Sequence, residues 1–212
     1  MNVAHLDELE AIELPDGFVW RPVRRRFGIT GFGVNAYTPG AGGRVIEEHT
    51  EDTYEHEEIY LVLRGRVRFT IGDDEHDLGA GQLVHLSDTT LRRGAVALTD
   101  DAAVLAVGGR PGEPFQVSAW EVTFAAMPLV QAGDYDAAIR LHVDALAAQP
   151  DHPSLLYNLA CFESLAGKHD EALAHLQRAA ELEPKYAGYA ATDGDFDAMR
   201  DAPGFPQPPA AD

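Results

Sequence analysis

Residues 58–88 read EIYLVLRGRVRFTIGDDEHDLGAGQLVHLSD. Apolar side chains recur at about every second position, and Gly65, Gly72 and Gly81 interrupt the pattern. A period of two is the period of a β-strand, and glycine beside aspartate or alanine marks the turns between strands. The stretch therefore predicts four short strands joined by tight turns.

The same pattern extends in both directions, from Arg21 to Gly108. GITGFGVNAYTPGAGG (28–43) reads as a strand and a turn, and RRGAVALTDDAAVLAVGG (92–109) reads as a hairpin with two aspartates at its tip. Short strands with turn signals this regularly spaced predict an all-β sandwich or barrel. A closed double sheet would also protect the edge strands from pairing with other chains.

The second half of the chain has a helical pattern and a long-range repeat. GGRPGEPF (108–115) is a linker by composition, and apolar residues beyond it recur at helical spacing. Two glycines, four alanines and two prolines recur at an offset of 34 residues, which is the period of a helix–turn–helix repeat. The pairs are Gly133/Gly167, Ala138/Ala172, Ala145/Ala179 and Pro150/Pro184.

We therefore predict a β-domain at 1–113, a helical domain at 114–204 and a disordered tail at 205–212. The two visible repeats are fewer than the three that a repeat array usually needs. The helical domain is thus expected to depend on the β-domain or on a second subunit for stability.

Charge and composition restrict the classes of partner. The chain of 212 residues carries a formal net charge of −19, and both halves are acidic. Such a field repels phosphate, so we expect no nucleic-acid partner. No apolar run is long enough to span a bilayer, and the acidic N-terminus lacks the features of a signal peptide. With a single cysteine, Cys161, these features predict a cytoplasmic protein with no membrane contact.

Two resemblances follow from these motifs. Glu58 stands seven positions before Gly65, and the strands and the GAGQLVHLS segment that follow make residues 30–109 similar to the cupin family, a double-stranded β-helix (jelly-roll) barrel. The segments GDYDAAIRLHVDALAAQP and GKHDEALAHLQRAAELEP make residues 119–204 similar to the tetratricopeptide repeat (TPR) family. The fold expected is therefore a β-barrel followed by a short all-α domain.

The cupin resemblance implies a divalent metal held by two histidines and a glutamate from one motif and a histidine from a second. Glu58 falls on the family's glutamate, whereas the H-x-H pair that should precede it by three or four residues is missing. His49 and His56 are the histidines present, so a metal site would use His49, His56 and Glu58, with Glu51 or Glu55 as further donors. Imidazole and carboxylate suit Fe, Mn, Ni or Zn. The alternative is a solvated acidic loop without a metal.

The second motif is altered more strongly. Ser87 and Thr89 replace its proline and glycine, and Arg92 stands at the histidine position. A guanidinium has no lone pair to donate to a metal, so the preferred interpretation is that no metal is bound. Arg92 is then expected to pair with Glu58 inside the barrel; the alternative is an exposed position on the rim.

Two further side chains complete the predicted ligand-binding set of Glu58, Tyr60, His85 and Arg92. Tyr60 alternates onto the same strand face as Glu58, and His85 is expected in or beside the cavity. The alternatives are core packing for Tyr60 and an ordinary surface or core position for His85.

Two functions remain open at this point. The first is a non-catalytic protein that binds a small molecule in the barrel, forms a homodimer by analogy with cupins, and binds a protein or peptide through its helical repeats. The second is a metal-dependent enzyme of the dioxygenase or isomerase type. No catalytic residue is assigned.

Overall fold

The computed structural model describes residues 2–14 and 17–208, and the chain divides into two compact units, 1–116 and 117–212. Each unit is described by itself. No helix in the described part of the chain is long and apolar enough to cross a bilayer.

Unit one is a pair of antiparallel sheets. Its strands are β1 (Ile12–Glu13), β2 (Phe18–Arg21), β3 (Gly33–Pro39), β4 (Arg44–His49), β5 (Glu57–Arg64), β6 (Arg66–Ile71), β7 (Asp74–Gly79), β8 (Leu83–Leu86), β9 (Arg93–Ala97) and β10 (Ala103–Gly109). A short α-helix, α1 (Val23–Phe27), and a 3₁₀ turn (Leu6–Glu8) accompany them. One sheet has the order β1-β2-β3-β10-β5-β8, and the other has the order β4-β9-β6-β7. Non-consecutive neighbours in both sheets are typical of a jelly roll, so the predicted double sheet is confirmed.

The core lies between the inner faces of the two sheets. Tyr60 and Val62 of β5 are buried, and the Tyr60 ring lies 5.4 Å from that of Phe69 on β6. The alternate residues Ile59 and Leu63 of β5 point to the opposite face and are 40% and 38% exposed. Strand alternation therefore fixes which face of β5 points inward.

Gly65 joins β5 to β6 at a position that requires glycine. Its φ is +67°, and an added Cβ would lie 2.5 Å from Thr99 Oγ1 and 2.7 Å from the Ala102 Cα. Both the backbone conformation and the close approach exclude a side chain. This explains why a glycine directly follows β5.

Unit two consists of helices that pair along the chain. They are α2 (Ala119–Gln131), α3 (Tyr135–Ala148), α4 (Pro153–Leu165), α5 (His169–Leu182) and α6 (Lys185–Ala190). The prediction of an all-α second half is confirmed, and α2 continues through Pro128 to Gln131.

The period of 34 residues corresponds to helix pairs. Ala138 on α3 and Ala172 on α5 are both fully buried. Gly133 and Gly167 precede these helices with φ of +75°, the left-handed conformation that ends the helix before. Small buried residues at matching positions let the helices of each pair approach closely.

The C-terminal segment is packed as far as Phe205. That ring is buried and lies 6.1 Å from the ring of Phe196. Gly204 O also accepts a hydrogen bond from Gln177 Nε2 at 2.8 Å. The predicted disordered tail therefore begins at a packed residue, and its last part, 209–212, lies outside the described residues.

Candidate functional site

One histidine and two carboxylates meet where β4 ends and β5 begins. His49 is the last residue of β4, Glu51 follows in the loop, and Glu58 is the second residue of β5. His49 Nε2 lies 3.5 Å from Glu51 Oε1 and 3.9 Å from Glu58 Oε2. One ligand atom from each residue lies within 4.8 Å of the other two. We call these three residues the donor group.

The loop between the two strands places Glu51 in the donor group and leaves other acids in solvent. Glu51 N donates a hydrogen bond of 2.8 Å to Thr89 O, which fixes its backbone. Asp52 and Glu55 are exposed, and Glu55 pairs with Arg110. The sequence left Glu51 and Glu55 as alternatives, and the structure brings only Glu51 beside His49.

A buried arginine lies beside Glu58. The side chain of Arg93 is fully buried, and its Nε lies 3.6 Å from Glu58 Oε2. Its Nη1 and Nη2 donate to the carbonyls of Thr89 at 3.4 Å and Asp88 at 3.3 Å. The guanidinium is thus held by the backbone of the preceding loop and presents a fixed positive charge to Glu58.

The predicted pairing of Arg92 with Glu58 is therefore wrong by one residue. Arg92 is 66% exposed and pairs with Glu48 at 2.5 Å, as in the alternative of a rim position. β9 begins at Arg93 and pairs it directly with His49 across the sheet. Neighbouring strand residues point to opposite faces, so only one of the two arginines can point inward.

The remaining predicted residues divide between the site and the surface. The Tyr60 hydroxyl donates to Glu58 Oε2 at 2.6 Å, and its ring is buried. His56 lies just before β5 and contacts the donor group through Glu51, with Nδ1 3.3 Å from Oε2. His85 lies on the outer face, 54% exposed, where it contacts Glu57 Oε1 at 2.5 Å. The expectation of His85 in or beside the cavity is wrong, because Leu86 takes the inward position opposite Glu58.

The electrostatics of the site raise the pKa of His49. Burial lowers the pKa of His49, but the Glu58 carboxylate, a hydrogen bond to the Glu47 carbonyl and the charge of Glu51 together raise it by more, so the net pKa is raised. His49 Nδ1 lies 2.7 Å from Glu47 O, which orients the ring with Nε2 toward the carboxylates. Burial and the Glu58 charge raise the pKa of Tyr60 well above its ordinary value, so this hydroxyl stays a donor.

The sequence did not indicate the role of Arg93. For Glu51 it does contain one signal. His49, Thr50 and Glu51 form an H-x-E sequence in place of the H-x-H pair, with six residues rather than three or four before Glu58. The longer loop between Glu51 and Glu58 explains why the family's spacing of three or four residues did not locate this pair. No comparable signal separates Arg92 from Arg93, since the loop that precedes β9 sets its register.

The donor group fits a divalent metal in donor type and spacing. Donor atoms 3.5 and 3.9 Å apart can share an ion with bonds of about 2.0–2.2 Å. The obstacle is Arg93, because a metal on Glu58 Oε2 would lie close to a buried positive charge. Metal binding therefore depends on whether the Glu58 carboxylate pairs with the Arg93 guanidinium or with a metal ion.

Comparisons with known proteins match one segment in each unit. The family model of the cupin domain matches residues 37–108, and that of the tetratricopeptide repeat matches residues 129–192. Both predicted resemblances are confirmed, in the predicted order. Comparison with curated proteins gives no match.

Several solved structures are similar to part of this chain. KdgF from Halomonas sp. is 20% identical over 48% of this chain and 88% of its own, with a TM-score of 0.41. An RmlC-like cupin from Shewanella frigidimarina is 12% identical over 53% and 94%, with a TM-score of 0.39. A cupin-superfamily sugar phosphate isomerase from Silicibacter pomeroyi is 21% identical over 51% and 76%, with a TM-score of 0.37.

Proposed function

We propose that this chain, a cupin domain followed by tetratricopeptide repeats, is a non-catalytic protein that binds a small molecule at the donor group and a partner protein through its repeats. The proposal of non-catalytic small-molecule binding rests on the buried guanidinium of Arg93, which lies 3.6 Å from Glu58 Oε2. A fixed cation beside this carboxylate balances its charge without a chelated ion. Tyr60 adds a hydrogen bond to the same oxygen.

The part of the site open to a ligand lies at His49 and Glu51. The His49 side chain is 31% exposed, and those of Glu51 and Glu58 are 14% and 12% exposed. Glu51 Oε2 is buried and accepts no hydrogen bond from the described part of the chain, although His56 Nδ1 lies 3.3 Å away. A buried acceptor of this kind is costly until a donor reaches it. The site therefore suits a ligand with hydroxyl or amino donors.

Binding is tested by thermal unfolding of the full chain with a panel of sugars, amino sugars and polyamines. A ligand that binds only the folded state raises the melting temperature as its concentration rises. Glu51→Gln should abolish the shift, whereas Glu55→Gln, on the exposed part of the same loop, should leave it unchanged. Equal shifts in both variants would place the ligand elsewhere.

The alternative function is a metal-dependent enzyme, which the spacing of the donor group favours. His49, Glu51 and Glu58 would hold the ion, and a bound divalent metal would supply Lewis-acid chemistry there. His49 must then be neutral, which works against its raised pKa. Glu58 would have to turn an oxygen away from Arg93 and Tyr60.

Metal content separates the two functions. Protein purified without chelators is analysed for Fe, Mn, Ni and Zn by mass spectrometry. We expect far less than one ion per chain, in wild type and in Glu58→Gln alike. Stoichiometric metal in wild type that Glu58→Gln loses would overturn the metal-free site and favour the alternative.

We also propose that the cupin domain pairs with a second copy. The outer face of β5 and β8 exposes Ile59, Leu63 and Leu83, the last at 59%. Contiguous exposed apolar residues of this kind are typical of interaction surfaces. Leu83→Arg should shift the protein toward the monomer in sedimentation, whereas Leu98→Arg, at an exposed position beyond β9, should not.

A cytoplasmic location stays a prediction.

A further inference from the structure

The ring of Phe115 packs on bare backbone where β3 begins and β10 ends. A Cβ added to Gly33 would lie 2.8 Å from Phe115 Cε2 and 3.1 Å from Phe115 Cζ. A Cβ added to Gly109 would lie 3.7 Å from Phe115 Cδ2. Glycine in a strand allows another group to approach the backbone closely. The segment that composition predicts as a linker, 108–115, therefore ends in a residue that packs against the β-domain.

The same ring stacks on His56, in the loop that carries Glu51. The ring centroids of His56 and Phe115 lie 5.8 Å apart, and their planes differ by 30°. Tyr54 also stacks on His56, at 5.5 Å and 26°. Across residues 2–14 and 17–208 the His56 side chain forms no hydrogen bond, so ring packing orients its imidazole. Stacked rings at these distances attract each other beyond the area that they bury.

The orientation of His56 matters for the donor group because the imidazole lies against Glu51. His56 Nδ1 is 3.3 Å from Glu51 Oε2, and the two side chains are 13% and 14% exposed. Glu51 Oε2 is the buried acceptor that no hydrogen bond from the described part of the chain satisfies. A turn of the His56 ring would remove this contact and leave the carboxylate free to rotate away from His49.

The other contact between the linker and this loop is exposed. Arg110 pairs with Glu55, and their side chains are 46% and 54% exposed. An exposed pair of this kind contributes little to stability. Phe115, rather than Arg110, is therefore the linker residue that can hold the loop in place.

We propose that Phe115 is a positioning residue of the ligand site, whose ring holds the His56 imidazole against Glu51 Oε2 and so fixes the carboxylate that a ligand meets. Phe115 acts through His56 and not by touching the ligand. This inference rests on the proposed binding of a small molecule at the donor group, and it adds a residue that lies 57 positions beyond Glu58 in the chain.

The test is amide hydrogen exchange of the full chain, followed by NMR without any ligand. The Glu51 amide, which donates to Thr89 O, reports local opening of the loop. Phe115→Ala should speed its exchange about five- to tenfold, the range expected for the loss of one stacked ring. The amide of Phe69, in the buried strand β6, should exchange at an unchanged rate. Gly33→Ala should also speed exchange at Glu51, because its Cβ displaces the Phe115 ring while leaving it in the chain.

Two variants are matched controls. Phe32→Ala removes a phenylalanine that is 47% exposed and lies next to Gly33 in the chain. Glu55→Gln removes the exposed pair with Arg110. Each should leave the exchange rate of the Glu51 amide within about twofold of wild type.

Two exchange results would overturn the proposal. An unchanged rate at Glu51 in Phe115→Ala would mean that the ring does not hold the loop. Equal acceleration at Glu51 and Phe69 would mean that Phe115 contributes only to the general stability of the β-domain.

Thermal unfolding with the panel of sugars, amino sugars and polyamines separates this proposal from the proposed function. A compound whose shift Glu51→Gln abolishes should bind Phe115→Ala about five- to tenfold more weakly than wild type. An undiminished shift in Phe115→Ala would refute the role of Phe115 and leave the ligand site standing. If no compound shifts wild type, the result counts against the ligand site, and the exchange rates still decide whether Phe115 holds Glu51.

Discussion

Replacing Arg93 with methionine isolates the interaction on which the proposed function depends. Arg93 is fully buried, its Nε lies 3.6 Å from Glu58 Oε2, and its two Nη atoms bind loop carbonyls. Methionine keeps most of the apolar volume and removes the charge and all three contacts. Glu58 would then keep only Tyr60 as a close donor, with His49 3.9 Å away.

The size of the effect follows from burial. Removing one partner of a buried ion pair costs about 3–5 kcal/mol, because the other charge stays buried and unpaired. Glu58 is 12% exposed and keeps Tyr60, so we expect a loss near the lower limit, about 3 kcal/mol. Arg92→Met is the matched control, since its pair with Glu48 is exposed on both sides. Exposed pairs contribute about 0–1 kcal/mol.

Urea unfolding of both variants, followed by circular dichroism in the β-sheet region, measures the difference. A double variant, Arg93→Met with Glu58→Gln, should recover part of the loss because it removes the unpaired charge as well. Equal stability of the Arg92 and Arg93 variants would refute the pairing of a buried Arg93 guanidinium with Glu58. A loss in Arg93→Met that the Glu58 change does not relieve would assign the effect to packing alone.

Three further predictions follow from single sites. By NMR titration, His49 should show a pKa above its ordinary 6.5, since Glu58, the Glu47 carbonyl and Glu51 together outweigh burial, and Glu58→Gln should lower it; an unchanged pKa would exclude their interaction. Burial lowers the pKa of His142 to about 4, although the Ala138 carbonyl opposes this, and the unfolded chain should titrate near 6.5. Stability of unit two should therefore be complete above pH 6.5 and fall by about 3 kcal/mol toward pH 4, and His142→Leu should remove this slope in urea unfolding. Gly65→Ala should cost more than about 2 kcal/mol from positive φ and close contacts, whereas Gly81→Ala, also at positive φ but in open space, should cost about 1 kcal/mol; equal melting temperatures would contradict this.

The order and type of the elements followed from the sequence because they depend on local periodicity. The alternation around Tyr60 predicted a strand, and Gly65 marked its end; the apolar residues on both of its faces did not show that Ile59 and Leu63 would be partly exposed. The 34-residue spacing of Ala138 and Ala172 predicted equivalent helices. Each signal acts within one or two elements, where side-chain spacing and backbone geometry decide the outcome.

The sequence by itself determined that Glu58 points inward from the start of a strand. It also determined that histidine and carboxylate side chains are concentrated around residue 50. Only the tertiary structure decided which donors meet and which arginine faces them. A strand reverses its facing at every residue, so the length and path of the loop before β9 choose between Arg92 and Arg93. The same dependence on loop path brings Glu51 to His49 and leaves Glu55 in solvent, because chain folding, not sequence spacing, sets distances between separate strands.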